Sequence, residues 1–172
     1  MDCKHSQVLL LLELYCGAVL PEYDMLETAE RILSRNDLPM NYTSLALGVK
    51  GDKLLEQGHW AEAEAIADRI LVLEEKPYAR SVKWITSLRR GDQAEAQRHI
   101  SFTEKQMPKP LFHSDVAGGL LLLGRRTEAM EELRKAVAAG FRVFPTKSAI
   151  SQLATSEDFA AYCRQQEDGA CP

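Results

Sequence analysis

The side chains best suited to proton transfer or metal ligation near neutral pH are His5, His59, His99 and His113. None belongs to an H-E-x-x-H motif, and none lies at ligand spacing from a cysteine or an acidic pair. His59 reads as a turn residue and His99 as a helix residue among charged neighbours, so all four are expected at the surface. Cys3, Cys16, Cys163 and Cys171 stand near the two ends with no C-x-x-C pair. That spacing does not suit zinc, and free thiols in a reducing compartment are the expectation. The pairs Glu74-Glu75 and Glu131-Glu132 read as solvated helix faces rather than acid/base pairs. No P-loop, dinucleotide glycine fingerprint or nucleophile elbow is present. With no conjunction of nucleophile, base and oxyanion donors, the chain is expected not to be an enzyme, with no cofactor and no metal.

The elements that would position any site are helices. The chain has 172 residues, of which 45% are hydrophobic and 27% charged, an ordinary balance for one soluble domain. Leu, Ala, Glu and Arg, all good helix formers, are abundant, whereas 10 Gly and 7 Pro are too few for a turn-dense β protein. The net charge is −4, against the basic face of a nucleic-acid binder. The basic doublets, Arg89-Arg90 and Arg125-Arg126, read as helix-end residues beside a glycine, where a cation suits the helix dipole. The apolar run Val8 to Leu12 is interrupted by Glu13 and is far shorter than the ~20 residues of a membrane span. No small-x-small cleavage site follows it. It reads as a buried first helix, and the cytoplasm is expected.

An internal recurrence organises the rest. Gly58-His-Trp-Ala-Glu-Ala63, Gly91-Asp-Gln-Ala-Glu-Ala96 and Gly124-Arg-Arg-Thr-Glu-Ala129 align, with the glycines 33 residues apart (91 − 58 and 124 − 91). Glu62, Glu95 and Glu128 keep that spacing, as do Ala63, Ala96 and Ala129. Each glycine is suited to end a helix in a left-handed conformation. Each glutamate falls in the first turn of the next helix, where it complements the dipole. Each alanine is expected to face the preceding helix and let the backbones approach. Aliphatic residues follow at helical spacing: Ile66 and Ile70, then Ile100, then Leu133 and Val137. Pro77, Pro108 and Pro145 punctuate the far ends. The spacing predicts helices near 5–18, 22–35, 43–57, 60–74, 78–90, 93–106, 111–123 and 127–139, with Gly140 capping the last. Shorter helices are expected at 147–153 and 156–166. Gly118-Gly119, inside a predicted helix, suits close helix packing or the close approach of a ligand.

A unit of helix, turn, helix and linker with these residues resembles the tetratricopeptide repeat (TPR) family. Residues 44–77 match it through Gly51, Gly58, Trp60, Ala63, Ala67 and Pro77. Residues 78–110 match through Trp84, Gly91, Ala96 and Pro108, and residues 111–143 through Ala117, Gly124, Ala129 and Ala136. Gln93 and Arg126 depart from the turn aromatic. A weaker unit precedes these, with Gly17 and Ala29. The resemblance implies an all-α fold: a right-handed superhelical solenoid of about four antiparallel helix pairs. The units would lie near 5–40, 43–77, 78–110 and 111–143, with a C-terminal cap over 146–166. Together these form one domain over 1–166, followed by a flexible tail, 167–172.

In that family a concave face lined by the first helix of each pair binds partners. Here it would comprise Leu45, Gly48, Asp52 and Leu55, then Tyr78, Ser81, Ile85, Leu88 and Arg89, then Leu111, Ser114, Gly118 and Leu121. The line is apolar or small and supplies one cation, Arg89, which suits an aliphatic-anchored peptide or amphipathic helix better than an acidic tail. The expected function is protein–protein interaction as an adaptor, with another protein as partner and no nucleic acid or membrane. An uncapped end of the stack leaves a homodimer open. Two alternatives stand beside it: a chaperone of a secreted client, similar to small type III secretion chaperones, and the sensor or regulatory repeat domain of a larger regulator.

Overall fold

A computed structural model describes residues 24–141 and Leu153 of the chain, and every described element is helical. In order they are α1 (Met25–Leu33), α2 (Met40–Glu56), α3 (Trp60–Leu73), α4 (Pro77–Arg90), α5 (Gln93–Gln106), α6 (Lys109–Leu122) and α7 (Arg126–Ala138). These follow the expected helices from 22–35 to 127–139 within a few residues. The expected helix at 5–18, that at 156–166, and His5 and all four cysteines lie outside the described residues. Of the expected 147–153 helix only Leu153 is described, and it is helical and buried.

The recurrent glycines stand at helix corners. Gly58, Gly91 and Gly124 have φ of 77°, 80° and 73°, left-handed values that cost a residue with a Cβ roughly 1–2 kcal/mol. The same two bonds close each corner. The Gly58 N–H donates to Leu55 and the His59 N–H to Leu54; Gly91 donates to Leu88 and Asp92 to Ser87; Gly124 donates to Leu121 and Arg125 to Leu120. Gly140, at φ 96°, repeats the pattern, its N–H donating to Val137 and that of Phe141 to Ala136. This paired closure is the Schellman motif, which satisfies carbonyls that a helix end would otherwise orphan.

Prolines open helices as well as ending them. Pro77 is the first residue of α4, and Pro108 caps α6, with Pro110 in its first turn. Proline fits there because the first helical N–H groups have no partner to lose and its φ is already near helical. The preceding residue is forced extended, as at Met107 with ψ 143°. Thus Pro77 and Pro108, expected to close a unit, also start the next one.

The chain divides into two compact units, Met1–Val82 and Lys83–Pro172. In the first, α1 packs on α2 and α2 on α3. Asp24 caps α1 by accepting hydrogen bonds from the N–H groups of Leu26 and Glu27 at 2.8 and 3.2 Å. Its Ala29 and Ile32 bury against Ala46 and Val49 of α2. In the second unit α6 packs on α7. Ala63, Ala96 and Ala129 are all buried, as expected of small residues facing a neighbouring helix.

Gly119 lies in the middle of α6. A Cβ there would sit 2.5 Å from Trp84 Cζ3 and 2.8 Å from Ile85 Cγ1, closer than real side chains approach. Close helix packing, one of the two roles expected for the glycine pair, is therefore what Gly119 provides.

Candidate functional site

Helix α2 presents Asn41, Ser44, Leu45, Gly48, Val49 and Asp52 along one face, because residues three and four apart lie above one another on a helix. In the first unit these six line a cavity of about 490 Å³, together with Ile70 of α3 and Lys76, Pro77 and Tyr78 at the start of α4. That volume falls within the ~300–1,000 Å³ usual for ligand sites.

Tyr78 shapes the cavity. Its hydroxyl donates to the Gly48 carbonyl oxygen at 2.7 Å. A Cβ on Gly51 would sit 2.7 Å from that hydroxyl, and one on Gly48 would sit 3.5 Å from ring atom Cε1. The ring therefore lies against a stretch of helix that two glycines keep bare.

Ser44 also lines the cavity. It is only 6% exposed, and neither its Oγ nor Glu74 Oε1, also buried, has a hydrogen-bond partner of ordinary geometry. The hydroxyl is nevertheless the main influence holding the Glu74 carboxyl below its ordinary range, with Lys76 adding to it. Glu74 Oε2 and Lys76 Nζ pair at 3.0 Å. Ser44, Glu74 and Lys76 thus make a polar contact beside the apolar lining. Among the described residues no group of three or more His, Cys, Asp or Glu could hold a metal ion, and no helix is long and apolar enough to cross a membrane.

The expected groove residues divide. Leu45, Gly48, Asp52 and Tyr78 come together in the cavity. Leu55, Ser81, Ile85 and Ser114 are instead buried in helix packing. Ile85 lies against Gly119, and the Ser81 hydroxyl donates to the Pro77 carbonyl oxygen at 3.2 Å. Leu88, Gly118 and Leu121 are half-buried, Arg89 is exposed, and Leu111 is 48% exposed. Asn41, Ser44, Val49, Ile70, Lys76 and Pro77 were not among the expected residues. Helical spacing from Leu45 and Asp52 would have found Asn41, Ser44 and Val49. Ile70, noted only as an aliphatic residue at helical spacing, and the linker residues Lys76 and Pro77 have no such signal.

The polar residues of the recurrence also need correction. His99, expected at the surface, is 8% exposed, with Nε2 3.7 Å from Glu95 Oε1. Glu132, expected on a solvated face, is largely buried and lies 2.8 Å from His113 Nδ1, with Lys135 at 2.6 Å on its other oxygen. The recurrence explains both. Ile66, His99 and Glu132 are 33 residues apart (99 − 66 and 132 − 99), so the position buried as isoleucine in α3 carries a polar group in α5 and α7.

The recurrent glutamates act locally, and the residue capping each helix decides how. Glu62 lies 3.5 Å from the His59 ring, and Glu128 pairs with Arg125 at 2.5 Å. At the third corner the cap is Asp92, whose carboxylate accepts from the Glu95 N–H at 2.9 Å. Like charge turns Glu95 away, and it accepts instead from Ser87 Oγ at 2.9 Å and Arg90 at 2.8 Å. Arg125 and Arg126, expected at a helix end that suits cations, sit instead at the start of α7, where the dipole disfavours them, and the Glu128 pair offsets this.

No family model, curated protein or solved structure matches the chain.

Proposed function

We propose that this chain is a tetratricopeptide-like helical-repeat module that binds a peptide segment or helix of another protein and catalyses no reaction. The observation that carries the reading is the cavity along α2, where Leu45, Val49, Ile70 and the Tyr78 ring surround a glycine-bared stretch of helix. An open apolar cleft with a few polar groups at its margins suits recognition. The three glycine corners at Gly58, Gly91 and Gly124, each closed by the same two bonds, support the repeat reading, since stacked helix hairpins need such a corner in every unit. A cytoplasmic setting belongs to the same proposal.

Affinity capture tests it with the full chain. Partners held by the wild type should be lost with Leu45→Glu, which places a charge in the cleft. They should be kept with Val72→Asp, at a position 86% exposed that does not line the cavity. Helical circular dichroism and a melting curve check that both variants fold. A folded Leu45→Glu chain that retains every partner removes the cavity from the binding role.

A further inference from the structure

The polar groups around the cavity are already committed within the chain. Its charged lining residues, Asp52 and Lys76, are opposite in sign. Lys76 pairs with Glu74 at 3.0 Å, and Asp52 has an interaction of its own. The Ser44 hydroxyl acts on the Glu74 carboxyl, and the Tyr78 hydroxyl donates to the Gly48 carbonyl oxygen. From Ser44 to Asp52 the backbone is the interior of α2, so its N–H and C=O groups are bonded along the helix. Among the described residues, all of whose elements are helical, no strand edge borders the floor made by Leu45, Val49, Ile70 and the Tyr78 ring. Asn41, at an exposed position, adds one amide to the lining.

On the reading of this chain as a protein-binding module, we infer that the cavity takes one face of a partner helix rather than an extended segment, and that this face is apolar and uncharged. The lining runs from Asn41 to Asp52, eleven residues of α2 (52 − 41), or about 16 Å at 1.5 Å per residue. An extended segment of that length has about five residues at 3.3 Å each. It would turn N–H and C=O groups toward a surface whose own polar groups are spent, and buried backbone groups without partners are unfavourable. A helix arrives with its backbone bonds made. Its side chains at i, i+4 and i+7 lie on one face and span about 10 Å. The volume agrees. A pocket of about 150 Å³ holds one benzene-sized group, so the 490 Å³ cavity receives roughly two or three side chains. A charged side chain among them would lose its water and meet only charges that already have partners.

Selection from a displayed library of random eighteen-residue peptides on the full chain tests this. The recovered peptides should carry apolar residues at i, i+3 or i+4, and i+7 with no charge among them. They should gain helical circular dichroism on binding. Proline in the middle of the stripe should weaken them about a hundredfold, the scale of a proline in a helix interior. Lysine in place of the middle apolar residue should weaken them about tenfold or more. Between about 0.05 and 1 M salt the affinity should fall by less than about twofold, since no ion pair with the peptide is there to be screened. Binding should be lost with Leu45→Glu and kept with Val72→Asp. Peptides that need Leu45 but tolerate proline and stay non-helical overturn the helix assignment and leave the module reading intact. Peptides that need Leu45 but weaken steeply with salt overturn the uncharged face and also leave that reading intact. Self-association of the chain that a folded Leu45→Glu variant lacks marks a second copy as the occupant and overturns the inference. A selection that yields no peptide dependent on Leu45 overturns both readings.

Discussion

The Tyr78 hydroxyl reaches back 30 residues to donate a 2.7 Å hydrogen bond to the backbone carbonyl oxygen of Gly48. It ties the first turn of α4 to the middle of α2. Gly51 is the condition for that contact, because a Cβ there would sit 2.7 Å from the hydroxyl but 3.8 Å from ring atom Cζ. The oxygen alone makes the glycine necessary, so the two residues are coupled.

The coupling can be read in urea denaturation. Tyr78→Phe should cost about 1 kcal/mol, the net value of one such bond. Gly51→Ala should destabilise the wild type, although alanine is favoured over glycine in a helix by roughly 1 kcal/mol. In the Tyr78→Phe background, with the oxygen gone, the same substitution should be neutral or stabilising. An equal cost in both backgrounds would show that the glycine serves something other than the tyrosine.

Gly91 and Gly119 should respond differently to the same change. A Cβ on Gly91 meets nothing within 4 Å, so Gly91→Ala pays only for its φ of 80°, roughly 1–2 kcal/mol. Gly91→Asn should recover much of this, since asparagine tolerates left-handed backbone. Gly119→Ala should cost roughly 1–3 kcal/mol by pressing on Trp84 and Ile85, and Gly119→Asn should be worse. Chemical denaturation of all four variants checks this, and a harmless Gly119→Ala would remove the close packing inferred there.

Glu95 should contribute a pH-dependent share of stability. Ser87, then Arg90 and Lys83, hold its carboxyl below the ordinary value of 4.5. A depressed carboxyl stabilises the fold above its unfolded pKa, and that contribution is lost as pH falls through the lower, folded value. The acid limb of the stability profile, from about pH 4.5 downward, should therefore flatten in Glu95→Gln. Ser87→Ala should flatten it in part. A Glu95→Gln profile parallel to the wild type over that range would contradict the assignment.

The His113–Glu132 pair takes the place of an aliphatic pair. Two recurrences earlier, the same positions are Leu47 and Ile66, both buried. Removing one member leaves the other partly buried without its partner, so His113→Leu and Glu132→Ile should each cost roughly 1–3 kcal/mol. The double variant restores the earlier combination and should be near wild type or more stable, because a partly buried polar pair often does no better than well-packed aliphatics. Thermal melts of the four chains form the cycle. Additive losses would show that the two side chains do not act as a pair.

Much of the fold was legible in the sequence, because helix ends obey local rules. Gly58, Gly91 and Gly124 mark corners through a backbone preference that needs no distant partner, and Ala63, Ala96 and Ala129 mark close approach through size alone. The candidate site was legible only in part. Leu45, Gly48, Asp52 and Tyr78 were expected and come together, whereas Ile85, in the same register as Asp52, is buried against Gly119. Ser44, Ile70, Lys76 and Pro77 join the cavity from three elements and the linker before α4.

The sequence by itself determined where each described helix starts and stops, since caps, corners and the 33-residue spacing act within a few residues along the chain. Only the tertiary structure decided which side chains on a helix face are open and which are covered. Ile66, His99 and Glu132 share one register yet meet different neighbours, and Tyr78 finds the Gly48 carbonyl across 30 residues of chain. Burial is set by what packs opposite, and that is a property of two segments together.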